Sequence, residues 1–336
     1  MTARSGVWLV VMVVALVLVP VLIGSPFYVN LASQVLIYAI LAMSLNLLVG
    51  FGGLTSLGHA AYLGFAAYVT IYLTTLAGFG QFSGALIALV ATTGLAMLFG
   101  FLALRASGLG FLMITLALGQ ILWGLAFRWV SLTGGDNGLG GMQRPHPFGI
   151  DLGDPNAFYY FALCFFLVAF AGIALFVRSP FGHSLRGSRD QPRRMRALGY
   201  NVWFVQWCGF VYAGFWGAIA GILYAYYNQF VSPHALNLMT SAETLLMVIA
   251  GGAGTLFGPI VGAVLVVVLK NVVSAYIARW VMLLGAVFVM IVLFMPEGLV
   301  PGTTRWTKLA LGRRRRAAGG GPGEATGTAA VQERSS

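Results

Sequence analysis

Apolar residues in this chain come in long runs, with neither the alternation of a half-buried strand nor the stripe of a surface helix. Runs of about 20 apolar residues, the length of a helix that crosses a bilayer, occupy 7–23, 29–49, 60–78, 83–104, 110–130, 158–177 and 203–227. A longer apolar region covers 241–275, and a last run lies near 279–295. Periodicity says little here, because in lipid the buried and outward faces of a helix are both apolar. Length and breakers define the elements instead. Region 241–275 is too long for one helix and is interrupted by Gly251-Gly252-Ala253-Gly254 and by Gly258-Pro259. The pattern predicts a broken element there, either a re-entrant pair of half-helices or two short crossings. Broken backbone at membrane depth persists only when buried in protein or lining a cavity, and such breaks tend to mark a transport path.

Gly50, Gly52, Gly53 and Gly58 make a similar interruption between the second and third runs. Both interruptions read Gly-Gly, then Thr or Ser with Leu, then a Gly opening a helix, the pattern of an internal duplication. The expected fold class is all-α, a polytopic transmembrane helical bundle of about 8–10 membrane segments with broken or re-entrant helices at the Gly-rich stretches. Residues 1–300 form the transmembrane domain, and 178–201 a cytoplasmic segment within it. Residues 301–336 are poor in large apolar side chains and predict a disordered basic tail. The first run resembles a signal peptide, but cleavage after Gly24 would put Leu22 at the small-residue position, so it reads as a retained helix.

Charge sharpens this picture. Only 8% of the residues are charged and 59% are hydrophobic, against about a quarter charged in a soluble domain. No Asp, Glu, Lys or Arg occurs in residues 5–104, which a water-facing surface would not permit. The net charge of +11 does not point to nucleic acid, because the arginines flank apolar runs, where cytoplasmic loops collect positive charge beside anionic lipid. Loop 178–196 carries Arg178, Arg186, Arg189, Arg193, Arg194 and Arg196 and is expected in the cytoplasm. The runs before it then put Arg4 and Arg105 on the same side and the loop 131–157, with Asp136, Asp151 and Asp154, outside; Arg144 is the exception. The basic tail (Arg305, Lys308, Arg313 to Arg316) also belongs inside, which requires an even number of crossings between 200 and 300. Cys164 and Cys208 lie in apolar runs without metal or disulfide spacing and read as packing residues.

Within 179–201 the pattern predicts a short helix capped by Asp190, with Pro192 in its first turn and Gly199 at its end. A compact helix on a cytoplasmic loop suits the receipt of force from a partner. This stretch resembles the coupling segment of the LivM-type permeases of branched-chain amino acid ABC importers. The blocks 45–62, 115–120, 132–139, 241–255 and Met295-Pro296-Glu297-Gly298-Leu299 agree with that family in order and spacing, so the resemblance runs from about residue 30 to residue 300. Pro192 stands where the family commonly has Glu, and Glu297 where it commonly has Arg, so individual ion pairs at the ATPase interface are not carried over.

The resemblance implies one permease subunit of the bacterial plasma (inner) membrane, working by alternating access. It would pair with a LivH-type permease, bind two cytoplasmic ABC ATPase subunits, and receive substrate from an extracytoplasmic binding protein. The coupling residues would be Phe181, Gly182, Arg186, Arg189, Asp190, Ala197, Leu198 and Gly199. The pathway is placed at Gly52, Gly53, Ser56, Gly58, Glu243, Gly251, Gly252 and Gly254, where helix ends leave N–H and C=O groups able to solvate a zwitterion. The family resembled includes permeases for leucine-type amino acids, urea and short amides, with specificity largely in the binding protein.

Glu243 is the only carboxylate in an apolar run. It reads either as a pathway group or as a residue in water at the outer mouth, capping a half-helix begun near Ser241. His59 is expected to bond to backbone, Asn46 and Gln120 to bridge helices, and Trp129, Trp203 and Trp280 to anchor at interfaces. The only lysines, Lys270 and Lys308, follow Leu269 and Thr307, so there is no Gly-Lys-Ser/Thr phosphate loop. HExxH and GxSxG motifs are missing too. The chain is expected to be no enzyme and to hold no cofactor, ATP being used by its partners. A stand-alone secondary transporter or channel is the alternative, and would need coupling-ion carboxylates where only Glu243 is offered. An integral-membrane enzyme would need a catalytic constellation that no motif supplies.

Overall fold

In the computed structural model, which describes residues 14, 16–20, 24–145, 152–274, 280–295 and 298–300, the apolar runs become helices. Pro26, whose fixed φ suits a first helical turn, opens α1 (Pro26–Asn46), which widens into a π-helical turn, Leu47–Gly52. Then come α2 (Ala60–Thr75), α3 (Gln81–Ala103), α4 (Leu109–Arg128) and α5 (Pro155–Arg178). The basic loop holds α6 (Pro180–Asp190) and α7 (Pro192–Ala197), and α8 (Val202–Asn228) returns across the bundle. Region 241–275 divides into α9 (Leu238–Gly251) and α10 (Gly258–Val268), the latter continued by a second π-helical turn, Leu269–Val273. The last described long helix is α11 (Trp280–Phe294). The run 7–23 falls largely outside the described residues, 16–20 being helical. The tail 301–336 lies outside them.

Among the described residues α1 with its π-turn, α3, α4, α5 and α8 are long and apolar enough to cross a membrane. The 14 residues of α9 reach roughly 21 Å at ~1.5 Å per residue, short of a hydrocarbon core of ~30 Å. This short helix is half of a tight antiparallel hairpin with α10. A Cβ on Gly251 would collide with the carbonyl of Gly258, and one on Gly262 with that of Met247. The predicted broken element is therefore a helical hairpin. Counted as two short crossings or as a re-entrant pair, the hairpin itself adds an even number to the set between 200 and 300.

Burial orders the bundle. The central window of α1 is 89% buried, against 28% for α3 and for α4, so α1 runs through the middle and α3 and α4 form an outer wall. That wall exposes Phe82, Leu109, Met113 and Ile121. In water such a face would drive aggregation; in lipid it matches its solvent. Cys164 is exposed and Cys208 half-buried, both as free thiols, so Cys164 belongs to the outer surface rather than to packing.

At the loop end of α5 and α8, β1 (Leu139–Gly140) pairs antiparallel with β2 (Phe230–Val231), Leu139 opposite Val231. A Cβ on Gly138 would collide with the carbonyl of Val231, which accounts for a glycine in the 132–139 block. Arg144, the exception to the charge pattern, is a clamp. Its guanidinium donates to the carbonyls of Leu152 (3.0 Å), Gly153 (3.3 Å) and Tyr227 (3.2 Å) and lies over the Phe158 ring. It ties the loop to the start of α5 and the end of α8.

The cap expected at Asp190 is not formed. Ser179 accepts from the Gly182 amide (3.2 Å) with Pro180 in the first turn, so a helix starts earlier and Asp190 is its last residue. Pro192 then breaks it, since proline has no N–H to continue the ladder, and α7 begins without a side-chain cap. Gly199 does end α7, in a left-handed conformation (φ +87°) with Tyr200 N–H reaching the Met195 carbonyl.

Candidate functional site

The two Gly-rich breaks, some two hundred positions apart in sequence, meet in space. Asn46, at the end of α1, donates from its side-chain amide to the Thr255 carbonyl (2.8 Å) and accepts from the Gly254 amide (2.8 Å). This is the bridging role expected of it. Beside that hub a Cβ on Gly50 would collide with the Gly254 amide nitrogen, so the backbones touch directly. Thr255 Oγ1 donates to the Gly252 carbonyl (2.8 Å) and accepts from the Gly258 amide (3.0 Å), which holds the bend between α9 and α10. Gly298 closes on the same place, its missing Cβ pointing at Gly252 Cα. Pro296 and Glu297 lie outside the described residues. Three separate sequence blocks thus converge on one junction.

Helix α6, in the basic loop, is fastened to that junction. Buried Leu185 packs against Gly209 of α8 (3.2 Å from its Cβ position) and against Gly52 (3.6 Å). The Arg189 guanidinium donates to the Gly50 carbonyl, and its stem fills the space where a Cβ on Gly53 would stand. Gly53 is left-handed (φ +67°) and ends the π-turn. The Gly50 carbonyl is one of the helix-terminal acceptors that lack an intrahelical donor, and a cation beside a helix C-terminus is favoured by the macrodipole. Arg186 lies over the Phe51 ring, 4.7 Å from its centroid. Two arginines of α6 therefore grip one π-helical turn.

The predicted coupling residues divide into two faces. Phe181, packed on Phe176, Gly182, at the close turn from α5, Arg186 and Arg189 are set toward the bundle. Asp190, paired with Arg189 (2.8 Å), and Ala197, Leu198 and Gly199 are exposed, as are Arg193, Arg194 and Arg196. Leu198 is 64% exposed on this basic knob.

Of the predicted pathway residues, Gly52, Gly53, Gly251, Gly252 and Gly254 gather at the junction, and Ser56 and Gly58 do not. Gly58 packs on α4, where a Cβ would collide with the Thr115 carbonyl, and Gly119 lies against it. That contact explains the 115–120 block. Ser56 is buried and its hydroxyl accepts from the Gly58 amide (3.4 Å). His59 is fully buried and bonds a side chain rather than backbone. Its Nε2 is 2.7 Å from Ser44 Oγ, and Ser44 donates to the Leu41 carbonyl (2.7 Å), so Nε2 carries the proton.

Glu243 is 3% exposed and ion-paired to Lys270, with Nζ 2.8 and 3.1 Å from its two carboxylate oxygens. It is therefore neither in water nor a cap. Lys270 sits in the second π-turn, and its neighbour Asn271 donates to Gln34 Oε1 of α1 (3.0 Å) and to the Val267 carbonyl (2.9 Å). The sequence reading missed this lysine. Its signal was a lone cation in the same apolar region as the lone carboxylate, a pairing that low dielectric makes nearly obligatory. Among the described residues no group of three or more His, Cys, Asp or Glu could hold a metal ion.

The family model for the branched-chain amino acid transport system / permease component matches residues 27–293. The chain is 28% identical over 335 residues to the high-affinity branched-chain amino acid transport system permease protein LivM of Salmonella typhimurium strain LT2, covering 93% of this chain and 79% of that protein. It is 28% identical over 334 residues to the LivM of Escherichia coli strain K12, covering 93% and 78%. A probable LivM of Methanocaldococcus jannaschii is 27% identical over 161 residues, covering 43% and 47%. No solved structure matches the chain. The matched stretch takes in both breaks, the basic segment 179–201 and the α9–α10 hairpin, and the chain belongs to the family of branched-chain amino acid transport permeases.

Proposed function

We propose that this permease is one of two membrane subunits of an inner-membrane ABC importer for branched-chain amino acids, driven by ATPases that dock on segment 179–201. The observation that carries the mechanism is the bond from Arg189 to the Gly50 carbonyl, at the junction of the two breaks. The exposed knob, α7 with Leu198, is the docking surface, and it faces the cytoplasm by its arginines. When the ATPases close, α7 moves and carries α6 with it. Arg189 and Arg186 then pull the π-turn 47–52 against the α9–α10 hairpin, and the contact of Gly50 with Gly254 opens or closes the path. Glu243 and the glycines of the junction line that path. ATP hydrolysis lies in the partner subunits, since no phosphate loop is present in this chain. A sister permease completes the membrane unit, and a binding protein delivers substrate from outside.

The test is reconstitution in proteoliposomes with the sister permease, ATPases and binding protein. ATP inside and binding protein outside should both be required for leucine uptake. Uptake without ATPases, driven by an ion gradient, would establish a secondary transporter instead.

A further inference from the structure

Glu243 and Lys270 form the one ion pair that joins two membrane helices among the described residues. Gln34, at the edge of the same cluster, lies eight residues into α1, about 12 Å along the helix at ~1.5 Å per residue. In a span of 27 residues, roughly 40 Å long at ~1.5 Å per residue against a hydrocarbon core of ~30 Å, this places the cluster in the outer part of the core. The pair is lopsided: the carboxylate side chain is 4% exposed and the lysine side chain 37%. An ammonium half-open to lipid at that depth is costly, so the opening faces water or the sister subunit. Lys270 is carried by a π-helical turn, a wide turn frequent at functional positions.

We propose that the Glu243–Lys270 pair is a binding station for the zwitterionic head of an amino acid in transit, Glu243 taking the ammonium and Lys270 the carboxylate. The proposal rests on the permease reading above. A head group inserted between the two side chains replaces one charge-assisted contact by two of the same kind, so neither buried charge is left alone. The Asn271 and Gln34 amides stand at the rim of the station. An uncharged solute of similar size would have to break the pair without replacing it, which disfavours its passage.

The test uses the complete complex in proteoliposomes, with E243Q, K270M and the E243Q/K270M double variant. Each should lower ATP-driven leucine uptake about tenfold or more, the worth of a lost charged contact, while binding-protein-stimulated ATP hydrolysis and subunit assembly persist. Removing both charges removes the isolated buried charge. A double variant with wild-type uptake would therefore make the pair structural and overturn the proposal. A second measurement decides the matter if the variants do not assemble. Ser274, exposed and one turn beyond Lys270, is changed to cysteine in a chain with Cys164→Ser and Cys208→Ser. Its labelling by a hydrophilic thiol reagent should slow with leucine present, and less so with isopentylamine or 4-methylpentanoate, which each carry one of the two charges. A thiol unreactive in every state, or equal protection by a one-charge analogue, would overturn the assignment. Loss of all ATP-dependent uptake in the wild-type complex would instead refute the permease reading itself.

Discussion

At the scale of single residues, the junction is built from atoms that are missing. Gly50 has no room for a methyl group beside the Gly254 amide, whereas Gly94 has nothing within 4 Å of its Cβ position. Gly50→Ala should destabilise the detergent-solubilised protein by about 1–3 kcal/mol, the usual cost of overpacking, and lower its melting temperature by several degrees. Gly94→Ala should be neutral or slightly stabilising, as helix propensity dictates. Equal melting temperatures would remove the close contact from the account. Asn46→Ala should cost about 1–3 kcal/mol by stranding the Gly254 N–H and the Thr255 carbonyl, read as a melting shift that Ser83→Ala, on an exposed hydroxyl, does not produce. Sequence reasoning marked these glycines as breaks and could not say which touch each other. Gly58 was grouped with them and packs instead against Thr115, since a missing Cβ looks the same in sequence whichever neighbour it meets. Lys270 was legible as a lone charge, but its partnership with Glu243 depends on how α9 and α10 fold back.

Among the elements, the helical nature of segment 179–201 was the most legible, since its arginines, prolines and glycines punctuate it. Its internal division was not: Ser179 with Pro180 starts the helix a full segment before Asp190, and a local cap pattern at 190–192 concealed that. The consequence is mechanical. α6 grips the π-turn while α7 stands exposed, so the two faces should fail differently. Arg189→Ala should leave ATPase binding intact and reduce uptake per ATP hydrolysed by about threefold or more, as befits the loss of a charged hydrogen bond made by a partly exposed side chain. Measuring uptake and hydrolysis in the same vesicles checks it, and an unchanged ratio would deny the link. Leu198→Glu should do the reverse, weakening copurification of the ATPases by about tenfold or more, as for an exposed anchor at an interface. The fold should hold, because the side chain is 64% exposed.

Across the whole molecule, hydrophobic length and arginine placement were enough to foresee an all-helical bundle with a broken region. They could not show that α1 lies at its centre, since an all-apolar helix reads the same whether lipid or protein surrounds it. Nor could they show that the two breaks and the Gly298 turn converge, a fact of tertiary packing alone. Convergence gives the proposed mechanism its route: the exposed α7, the two arginines of α6 and the glycine junction form one continuous series of contacts. The account stands on that knob meeting an ATPase in the cytoplasm. A photoreactive cysteine adduct at position 198, placed in membrane vesicles of the assembled complex, tests this most directly. Irradiation should yield a covalent product of the permease with an ATPase subunit. A product with the extracytoplasmic binding protein, or none with the ATPase in vesicles that still transport, would contradict it.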